Sequence, residues 1–372
     1  SPSAGLGGPV AMNGRPPPAL TIGSACFVNG LAVSIASFRS ASNAPPASSL
    51  DAVLELVRRT AGRPVDGQQL ISRIRVIGIK NPAQHAGDLL MPGRADVIGL
   101  VIPDILNPFF TVASRAIQDV AQEADFSVIL CNTDEDPKKE EKYLALLEDE
   151  AVAGIIFCPA QETNQMVTDT FIKEMPFVTL DRRLTNVETD HVLLDNVNAA
   201  REIVTHLIEQ GHRRIGAITG KMTVTTGRER QEGYKQALLD HGIEYEPALA
   251  KKVIPKIDQG RKAALELMNQ PNPPTAIFTG SNLLTIGLLH AIQETSLAIP
   301  DDIAIAGFDE LPFNSLALPW ITTIQQPNYE LGKVAAELLL ERIRNPIGAK
   351  RQILLRGEMI VRQSSMRHKA AL

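Results

Sequence analysis

The residues best suited to bind a ligand stand directly after stretches that the sequence predicts to be buried β-strands. The stretch VIGLVIPDILNPFF begins at Val97 with seven residues that are apolar or glycine and then reaches Asp104, Asn107 and two phenylalanines, Phe109 and Phe110. Aromatic residues make up only 4% of the chain, so a pair of rings at a strand exit is a candidate wall of a binding site. The alternative is that both rings only extend the hydrophobic core.

Similar polar groups follow the other predicted strands. In open α/β sheets, ligands bind beyond the carboxyl ends of the strands, where these side chains would meet. Carboxylates accept hydrogen bonds from hydroxyl groups, arginine donates through a rigid fork, and ring faces cover apolar C–H groups, so the set favours a polyhydroxylated ligand. For any single Asp or Asn, helix capping is the alternative role. The strand-end residues are Asn132, Thr133, Asp134, Asp181, Arg182, Asp195, Asn196, Thr225, Arg228, Ser281, Asn282, Asp309, Glu310 and Gln326.

The motifs of common enzyme and metal sites are missing from the sequence. There is no GxSxG, HExxH, Walker loop, GxGxxG or CxxC. The seven histidines fall singly, which does not indicate a metal site. We therefore predict a binding protein without catalytic residues, metal ion or cofactor. Cys131 and Cys158 fall within predicted strands, as reduced thiols of a cytoplasmic protein would.

From Asp96 onward, the sequence alternates predicted strands with amphipathic helices. Strands separated by helices form parallel sheets, and about ten strands are too many for one compact sheet, so two doubly wound lobes are predicted. The tail RQILLRGEMIVRQSS predicts two further short strands with a turn at Gly357. The ten strands are 97–103, 127–133, 153–159, 177–181, 191–196, 214–220, 251–254, 276–280, 303–309 and 321–325. The seven helices are 110–123, 137–148, 199–210, 226–241, 260–269, 283–294 and 329–345.

Residues 1–95 differ from the rest in charge. They contain nine Lys/Arg against four Asp/Glu, a net charge of +5, whereas the remaining residues carry 28 basic against 38 acidic groups, a net charge of −10. A basic end on an acidic body favours a segment that contacts nucleic acid. Ala19–Phe38 is a 20-residue run without a charge. A signal peptide or membrane span is the alternative interpretation of that run, although its Gly, Ser, Thr and Asn residues dilute its apolar character.

From about Arg94 to Gln363 the chain resembles the lactose-repressor-type (LacI/GalR) family of transcription regulators. The matching stretches are GLVIPDILNPFF, VTLDRR, VLLDN, GHRRIGAITG, TTGRERQEGYKQAL, AIFTGSNLLTIGLLHAI, IAIAGFDE and TTIQQPNYELGKVAAELLLERI. The resemblance implies an α/β fold of two doubly wound parallel-sheet lobes, like those of periplasmic binding proteins, preceded by a small, degenerate all-α DNA-binding domain. The predicted boundaries are 1–95 for this domain with its hinge and linkers, 96–196 with 327–346 for the first lobe, and 197–326 with 347–372 for the second.

The same resemblance implies which residues contact a small effector between the lobes. Two departures from the family pattern bear on the second lobe: Ser281 and Asn282 stand where relatives often have Asn and Asp, and Pro255 replaces a usual aromatic residue. The implied effector-binding residues are Asn107, Phe109, Phe110, Asp181, Arg182, Arg228, Ser281, Asp309 and Gln326.

The N-terminal stretch TIGSACFVNGLAVSIASFRSASN resembles a divergent helix-turn-helix. Its segment VSIASFR is similar to the recognition helix that lies in the major groove, and Leu89 stands near the hinge leucine that relatives insert into the minor groove. Ser24 replaces the usual acidic residue, and Pro92 predicts that a hinge helix ends at Met91. The residues predicted to contact DNA are Ser34, Ile35, Ser37, Arg39 and Leu89.

Taken with the resemblance, the sequence predicts a cytoplasmic transcription regulator that acts as a repressor. It would bind operator DNA, sense a sugar or a related polyhydroxylated effector, and form a homodimer through its lobes, partly by the apolar helix LGKVAAELLLERI, with no membrane partner. The alternative is an exported periplasmic sugar-binding protein of the same fold. Under that alternative, MNGRPPPALTIGSACFVNGLAVSIAS would be its signal peptide.

Overall fold

A computed structural model describes residues 25–28, 31–34, 95–311 and 320–366 of the chain. The chain divides into two units, Ser1–Gly93 and Arg94–Leu372. In the first unit, strands β1 (Ala25–Val28) and β2 (Leu31–Ser34) pair antiparallel. The recognition helix predicted over VSIASFR therefore does not begin at Val33 or Ser34, which belong to β2; β-branched and aromatic residues such as Val28, Val33 and Phe27 favour strands. The predicted DNA contacts Ile35, Ser37, Arg39 and Leu89 lie outside the described residues.

The first lobe is built on a six-stranded parallel sheet. Every neighbouring pair of its strands is parallel. Their order is β13 (Gln352–Leu355), β7 (Asp190–Leu194), β6 (Phe177–Leu180), β5 (Val152–Phe157), β3 (Ala95–Ile102) and β4 (Ser127–Asn132). Residues of β5 are all buried because helices cover both faces of the sheet, which explains its continuous apolar sequence. The elements in chain order are β3 (Ala95–Ile102), α1 (Pro108–Glu123), β4 (Ser127–Asn132), α2 (Pro137–Asp149), β5 (Val152–Phe157), α3 (Asp169–Glu174), β6 (Phe177–Leu180) and β7 (Asp190–Leu194).

The second lobe repeats this arrangement on a second six-stranded sheet. Its strand order is β14 (Glu358–Ile360), β12 (Thr322–Gln325), β11 (Ala304–Phe308), β10 (Ala276–Thr279), β8 (Ile215–Thr219) and β9 (Ala250–Lys252). All pairs are parallel except β12 with β14. Its elements are α4 (Asn196–Glu209), β8 (Ile215–Thr219), α5 (Thr225–Asp240), β9 (Ala250–Lys252), α6 (Ile257–Met268), β10 (Ala276–Thr279), α7 (Asn282–Thr295), β11 (Ala304–Phe308) and β12 (Thr322–Gln325). The last elements are α8 (Asn328–Arg344), β13 (Gln352–Leu355) and β14 (Glu358–Ile360). The doubly wound, two-lobed fold predicted from the sequence is confirmed.

The last two strands correct one predicted boundary. Residues 347–372 are predicted to lie entirely in the second lobe, but β13 pairs with β7 in the first lobe, and only β14 joins the second sheet. The two strands therefore do not form a hairpin at Gly357. Between β13 and β14 the chain crosses from one lobe to the other, as it also does before α4 and after β12. Three crossings make the lobes parts of one compact unit.

Helix α8 returns to the first lobe and packs on α1 through a close contact. A Cβ atom on Gly332 would lie 2.3 Å from the carbonyl oxygen of Ala113, so only glycine permits this approach. Leu331, Ala335 and Leu339 of α8 join the first-lobe core together with the two phenylalanines at the start of α1. The predicted amphipathic helix LGKVAAELLLERI thus buries its apolar residues within its own lobe. Within the described ranges, no helix is both long and apolar enough to cross a bilayer.

Candidate ligand-binding cleft

A cleft opens between the lobes at the carboxyl ends of both sets of strands. It contains a cavity of about 40 Å³. Eight of the nine predicted effector-binding residues line this cavity; Arg228 is the ninth and is not among the described lining residues. The lining is Asp104, Asn107, Phe109, Phe110, Glu135, Asp181, Arg182, Gly220, Lys221, Val224, Thr226, Gly227, Arg230, Pro255, Gly280, Ser281, Leu283, Asp309 and Gln326.

The start of α1 supplies one wall of the cleft. Asn107 caps the helix, because its Oδ1 atom accepts a hydrogen bond of 3.0 Å from the backbone N–H of Phe109. The same oxygen accepts a second hydrogen bond, of 3.0 Å, from the Nδ2 atom of Asn282 in the second lobe. The rings of Phe109 and Phe110 meet edge to face, with centroids 4.9 Å apart. Both rings belong to the first-lobe core and also line the cavity, so the two roles considered from the sequence are combined.

An ion-paired group forms the floor of the first-lobe face. The Arg182 guanidinium donates to both carboxylate oxygens of Glu135, at 2.6 and 3.0 Å, and to the carbonyl oxygen of Pro159 at 3.1 Å. Burial raises the pKa of Glu135, but Arg182 and Lys221 outweigh this effect and lower it to about 2. Glu135 therefore carries a full negative charge at neutral pH.

Asp181 lies beside this group with a different electrostatic balance. Burial, together with the nearby charges of Asp309 and Glu135, raises its pKa to about 6, although Arg182 and Arg230 act in the opposite direction. Its backbone has a positive φ of 64°, and its N–H donates to the carbonyl of Val192 at 2.9 Å. The Nε atom of Arg182 lies 3.6 Å from the Asp181 carboxylate and, among the described residues, has no hydrogen-bond partner.

On the second-lobe face, the arginine in the cleft is Arg230 and not Arg228. Arg230 is buried, donates to the carbonyl of Gly280 at 2.7 Å and to Asn196 Oδ1 at 2.9 Å, and lies 4.0 Å from the centroid of the Phe308 ring. Arg228 is 47% exposed and forms an ion pair with Glu162 of the first lobe, outside the cavity. Two residues along a helix correspond to about 200° of rotation, so the two arginines of GRER point to different sides of α5.

Asp309 and Gln326 complete the second-lobe face. Asp309 has a positive φ of 70°, its N–H donates to the carbonyl of Ile324 at 2.9 Å, and its carboxylate accepts from the backbone of Asn282 at 3.3 Å and from Gln326 Nε2. The Oε1 atom of Gln326 is buried and has no partner within the described part of the chain. Ser281 caps α7 by accepting from the first-turn backbone. This face therefore offers a carboxylate, a free amide oxygen and a guanidinium close together.

Four lining residues that contribute charge were not predicted as effector contacts: Asp104, Glu135, Lys221 and Arg230. Of these, Asp104 was noted only as a polar residue at a strand exit. Glu135 follows directly after the strand-end series Asn132–Asp134, so position alone gave a weak signal. Arg230 stands four residues after Thr226 and four before Tyr234, and all three are buried on one side of α5. That spacing is visible in the sequence, but which side of α5 faces the cleft is not. Nothing in the sequence indicated that Lys221 and Glu135 come together.

The chemistry of the cleft is that of binding. Its side chains offer hydrogen-bond donors, acceptors and ring surfaces, and no group of three or more His, Cys, Asp or Glu side chains suited to a metal ion occurs in the portion of the chain described. Cys158 lies 3.9 Å from the carboxylate of Asp181, and burial raises the pKa of its thiol. A thiol held in its neutral form is a poor nucleophile.

The chain is similar to known regulators over most of its length. A profile of the periplasmic binding protein-like domain matches residues 204–365. The HTH-type transcriptional regulator EndR of Paenibacillus polymyxa is 37% identical over 250 residues, which are 66% of this chain and 73% of that protein. The HTH-type transcriptional regulator DegA of Bacillus subtilis is 31% identical over 317 residues, 82% of this chain and 94% of that protein.

Solved structures give the same result. The complex of the transcriptional regulator CelR with cellobiose superposes with a TM-score of 0.66 at 25% identity, covering 84% of this chain and 99% of that chain. The sequence match with DegA is longer than the unit Arg94–Leu372. It therefore extends into the N-terminal unit. With the fold and cleft described above, these similarities show that the chain belongs to the lactose-repressor-type (LacI/GalR) family of transcription regulators.

Proposed function

We propose that the protein is a DNA-binding repressor that responds to a sugar or a related polyhydroxylated effector bound between its lobes. The observation that carries this proposal is the composition of the cleft. It combines carboxylates from both lobes, the Arg230 guanidinium hydrogen-bonded to neutral groups, an amide oxygen without a partner among the described residues, and two phenylalanine rings. Carboxylates and amides pair with the hydroxyl groups of a sugar, and rings cover its C–H faces. The CelR–cellobiose complex is a sugar-bound protein of the same fold.

The lobes are tied together by contacts that an effector would strengthen or replace. Besides the pair between Arg228 and Glu162, Arg183 pairs with Glu229, and the Glu162 N–H donates to the carbonyl of Thr223 at 2.9 Å. An effector that contacts both lobes binds the closed arrangement in preference to an open one, and it shifts the population by that difference in affinity. In a dimer, such a shift changes the spacing of two DNA-binding domains.

The proposal extends to the DNA. Residues 1–95 carry a net charge of +5, and binding through phosphate contacts releases counterions, so DNA affinity should fall steeply with salt. The full chain and a 96–372 fragment can be compared on duplexes enriched by the full chain from a random pool. Equal binding by the fragment would contradict the assignment of DNA contacts to the N-terminal residues.

We also propose that the protein is a cytoplasmic homodimer assembled through its lobes. The similarity to transcription regulators favours this over export to the periplasm. Sedimentation of the 96–372 fragment tests the dimer, because the fragment should remain dimeric; a monomer would count against it. The N-terminal residue of the protein isolated from cells tests export, since cleavage near Ser37 would support the alternative.

The sensing role is tested by a thermal-shift screen of sugars and nucleosides. A ligand that binds only the folded state raises the melting temperature, and more so as its concentration exceeds its dissociation constant. Each hit is then titrated by calorimetry and added to a DNA-binding assay. A sugar that binds and changes DNA affinity supports the proposal. Absence of binding by every polyhydroxylated compound would overturn it.

A further inference from the structure

An ion triad of Glu135, Arg182 and Lys221 occupies one side of the cavity. Glu135 is its centre, with a side chain only 5% exposed. It accepts from both terminal nitrogens of Arg182, at 2.6 and 3.0 Å, and from Lys221 Nζ at 3.0 Å. Both oxygens of the Glu135 carboxylate are therefore engaged, in a bidentate pair with Arg182 and a third charge-assisted contact with Lys221. The family resemblance assigns Arg182 to the effector, but its terminal nitrogens already donate to Glu135.

The triad joins the two lobes. Glu135 and Arg182 belong to the first lobe, whereas Lys221 follows β8 in the second. The Lys221 ammonium also donates to the carbonyl oxygens of Ala160, at 3.3 Å, and of Glu135, at 3.4 Å. The loop that carries Lys221 also packs closely against α5 of its own lobe. A Cβ atom on Gly227 of that helix would lie 2.1 Å from the Lys221 carbonyl oxygen. Lys221 is thus held at the cavity by both lobes.

Glu135 determines the net charge of the cavity lining that a ligand would contact. The described lining has three basic groups, Arg182, Lys221 and Arg230, and four acidic ones, Asp104, Glu135, Asp181 and Asp309. With Glu135 present, Arg182 and Lys221 both contact its carboxylate at hydrogen-bond distance, and one of their two positive charges is neutralised. A phosphate or carboxylate group entering the cavity would then meet an excess of negative charge in a poorly solvated space. Without Glu135, the terminal nitrogens of Arg182 and the Lys221 ammonium would lose their shared carboxylate partner, and two adjacent cations are a common anion site.

We propose that Glu135 is a specificity-determining residue that restricts the cleft to uncharged polyhydroxylated effectors and excludes phosphorylated or carboxylated ones. The proposal rests on the sensing role proposed above and narrows its ligand class. The alternative is a purely structural triad that links the lobes and has no bearing on ligand charge. The two interpretations differ in one measurable respect. If Glu135 determines which ligand charge is accepted, its neutralisation creates an anion site in the cavity; if the triad is purely structural, it does not.

The test uses inorganic phosphate and does not require that the effector be known. The full chain and its Glu135→Gln variant are titrated with phosphate by calorimetry at neutral pH, with chloride adjusted to hold the ionic strength constant. Glutamine is nearly isosteric with glutamate but carries no charge. We expect no measurable binding to the wild type and saturable binding to the variant. The variant's affinity should exceed the upper limit set for the wild type by about 10- to 100-fold, as two charge-assisted contacts become available.

Two matched variants serve as controls. Glu135→Asp retains the carboxylate and should remain unable to bind phosphate. Glu162→Gln also removes one negative charge at the boundary between the lobes, but it releases Arg228 outside the cavity and should not create phosphate binding. Phosphate binding by Glu162→Gln equal to that of Glu135→Gln would overturn the proposal, because a general change of charge would then explain the effect.

The loss of a buried partner can also prevent folding, because it leaves charges unpaired. If Glu135→Gln is unfolded at the assay temperature, Lys221→Met is compared with the double variant Glu135→Gln/Lys221→Met, which keeps one cation of the triad, Arg182. The double variant should bind phosphate more tightly than Lys221→Met. Equal binding in this pair, or phosphate binding by the wild type as tight as by Glu135→Gln, would overturn the proposal. These results are independent of the sugar screen, so a failed screen and a failed charge selection are distinguishable.

Discussion

The two faces of the cleft hold their arginines in different ways. On the first-lobe face, Arg182 is paired with the carboxylate of Glu135, which raises the pKa of the guanidinium in spite of burial. On the second-lobe face, Arg230 contacts a carbonyl, an amide oxygen and a ring, and burial lowers its pKa. One charge is neutralised at contact distance and the other is not. A hydroxyl group should therefore gain more from Arg230 than from Arg182, since an unpaired charge forms the stronger hydrogen bond.

The largest expected effect follows from removal of Arg230. Arg230→Ala leaves the buried Gly280 carbonyl and Asn196 Oδ1 without a donor and opens a space above Phe308. We expect the free energy of unfolding to fall by about 4 kcal/mol and effector affinity to fall about 100-fold. Urea denaturation measures the first effect, and calorimetry with the first sugar found by the screen measures the second. Unchanged affinity would mean that the second-lobe face is not where the effector binds.

The next effect concerns two buried glutamates of the first lobe, only five residues apart. Glu135 faces two cations, whereas Glu140 accepts from two neutral donors, the Ala160 N–H at 2.5 Å and Asn164 Nδ2 at 2.6 Å. Burial raises the pKa of Glu140 to about 7 from its ordinary value of 4.5, because these hydrogen bonds and Arg182 only partly compensate for it. Between pH 4.5 and about 7, the Glu140 carboxyl is therefore protonated in the folded state and ionised in the unfolded state.

The contribution of Glu140 to the free energy of unfolding should therefore fall by about 3 kcal/mol as pH rises from about 4.5 to about 7. Asp181, with its pKa raised to about 6, adds a fall of the same sign at the acidic end of this range. Glu140→Gln should flatten the upper part of the curve, between about pH 6 and 7, and leave the part due to Asp181. Urea midpoints measured across this pH range check the prediction, and a slope unchanged in Glu140→Gln would contradict it.

A smaller effect is expected at Gln326. Its Oε1 atom is buried, lines the cavity and has no partner among the residues described. If it accepts a hydrogen bond from an effector hydroxyl, Gln326→Met should weaken effector binding by about 3- to 10-fold, the value of one neutral hydrogen bond. Calorimetry with wild type and variant measures this. The same affinity in both proteins would show that the amide serves only to orient Asp309.

The smallest effect should come from Arg228, which provides the comparison with Arg230 on the same helix. The Arg228–Glu162 pair joins the lobes, but the arginine is half exposed, and exposed ion pairs contribute about 0.2–1 kcal/mol. Arg228→Ala should therefore change effector affinity by less than about fivefold and leave the melting temperature nearly unaltered. A loss as large as that in Arg230→Ala would show that Arg228 contacts the effector directly.

Local sequence patterns were sufficient for most of the elements. Each of the ten strands and seven helices predicted between residues 97 and 345 has a counterpart, because buried apolar runs and capping residues such as Asn107, Asp136 and Ser281 act within a few residues of the chain. The short helix α3 was missed. At six residues it gives too little periodicity to detect.

The sequence by itself determined the alternation of strand and helix, and with the family resemblance it identified eight of the nine predicted residues as lining the cleft. The strand ends of a parallel sheet converge, so residues at those ends meet wherever the strands are placed side by side. Tertiary structure alone decided which arginine of GRER enters the cleft, which sheet receives β13, and that Glu135 meets Lys221, 86 residues away. Those outcomes depend on how helices and lobes pack against one another, and no local pattern encodes contacts between parts so distant in the chain.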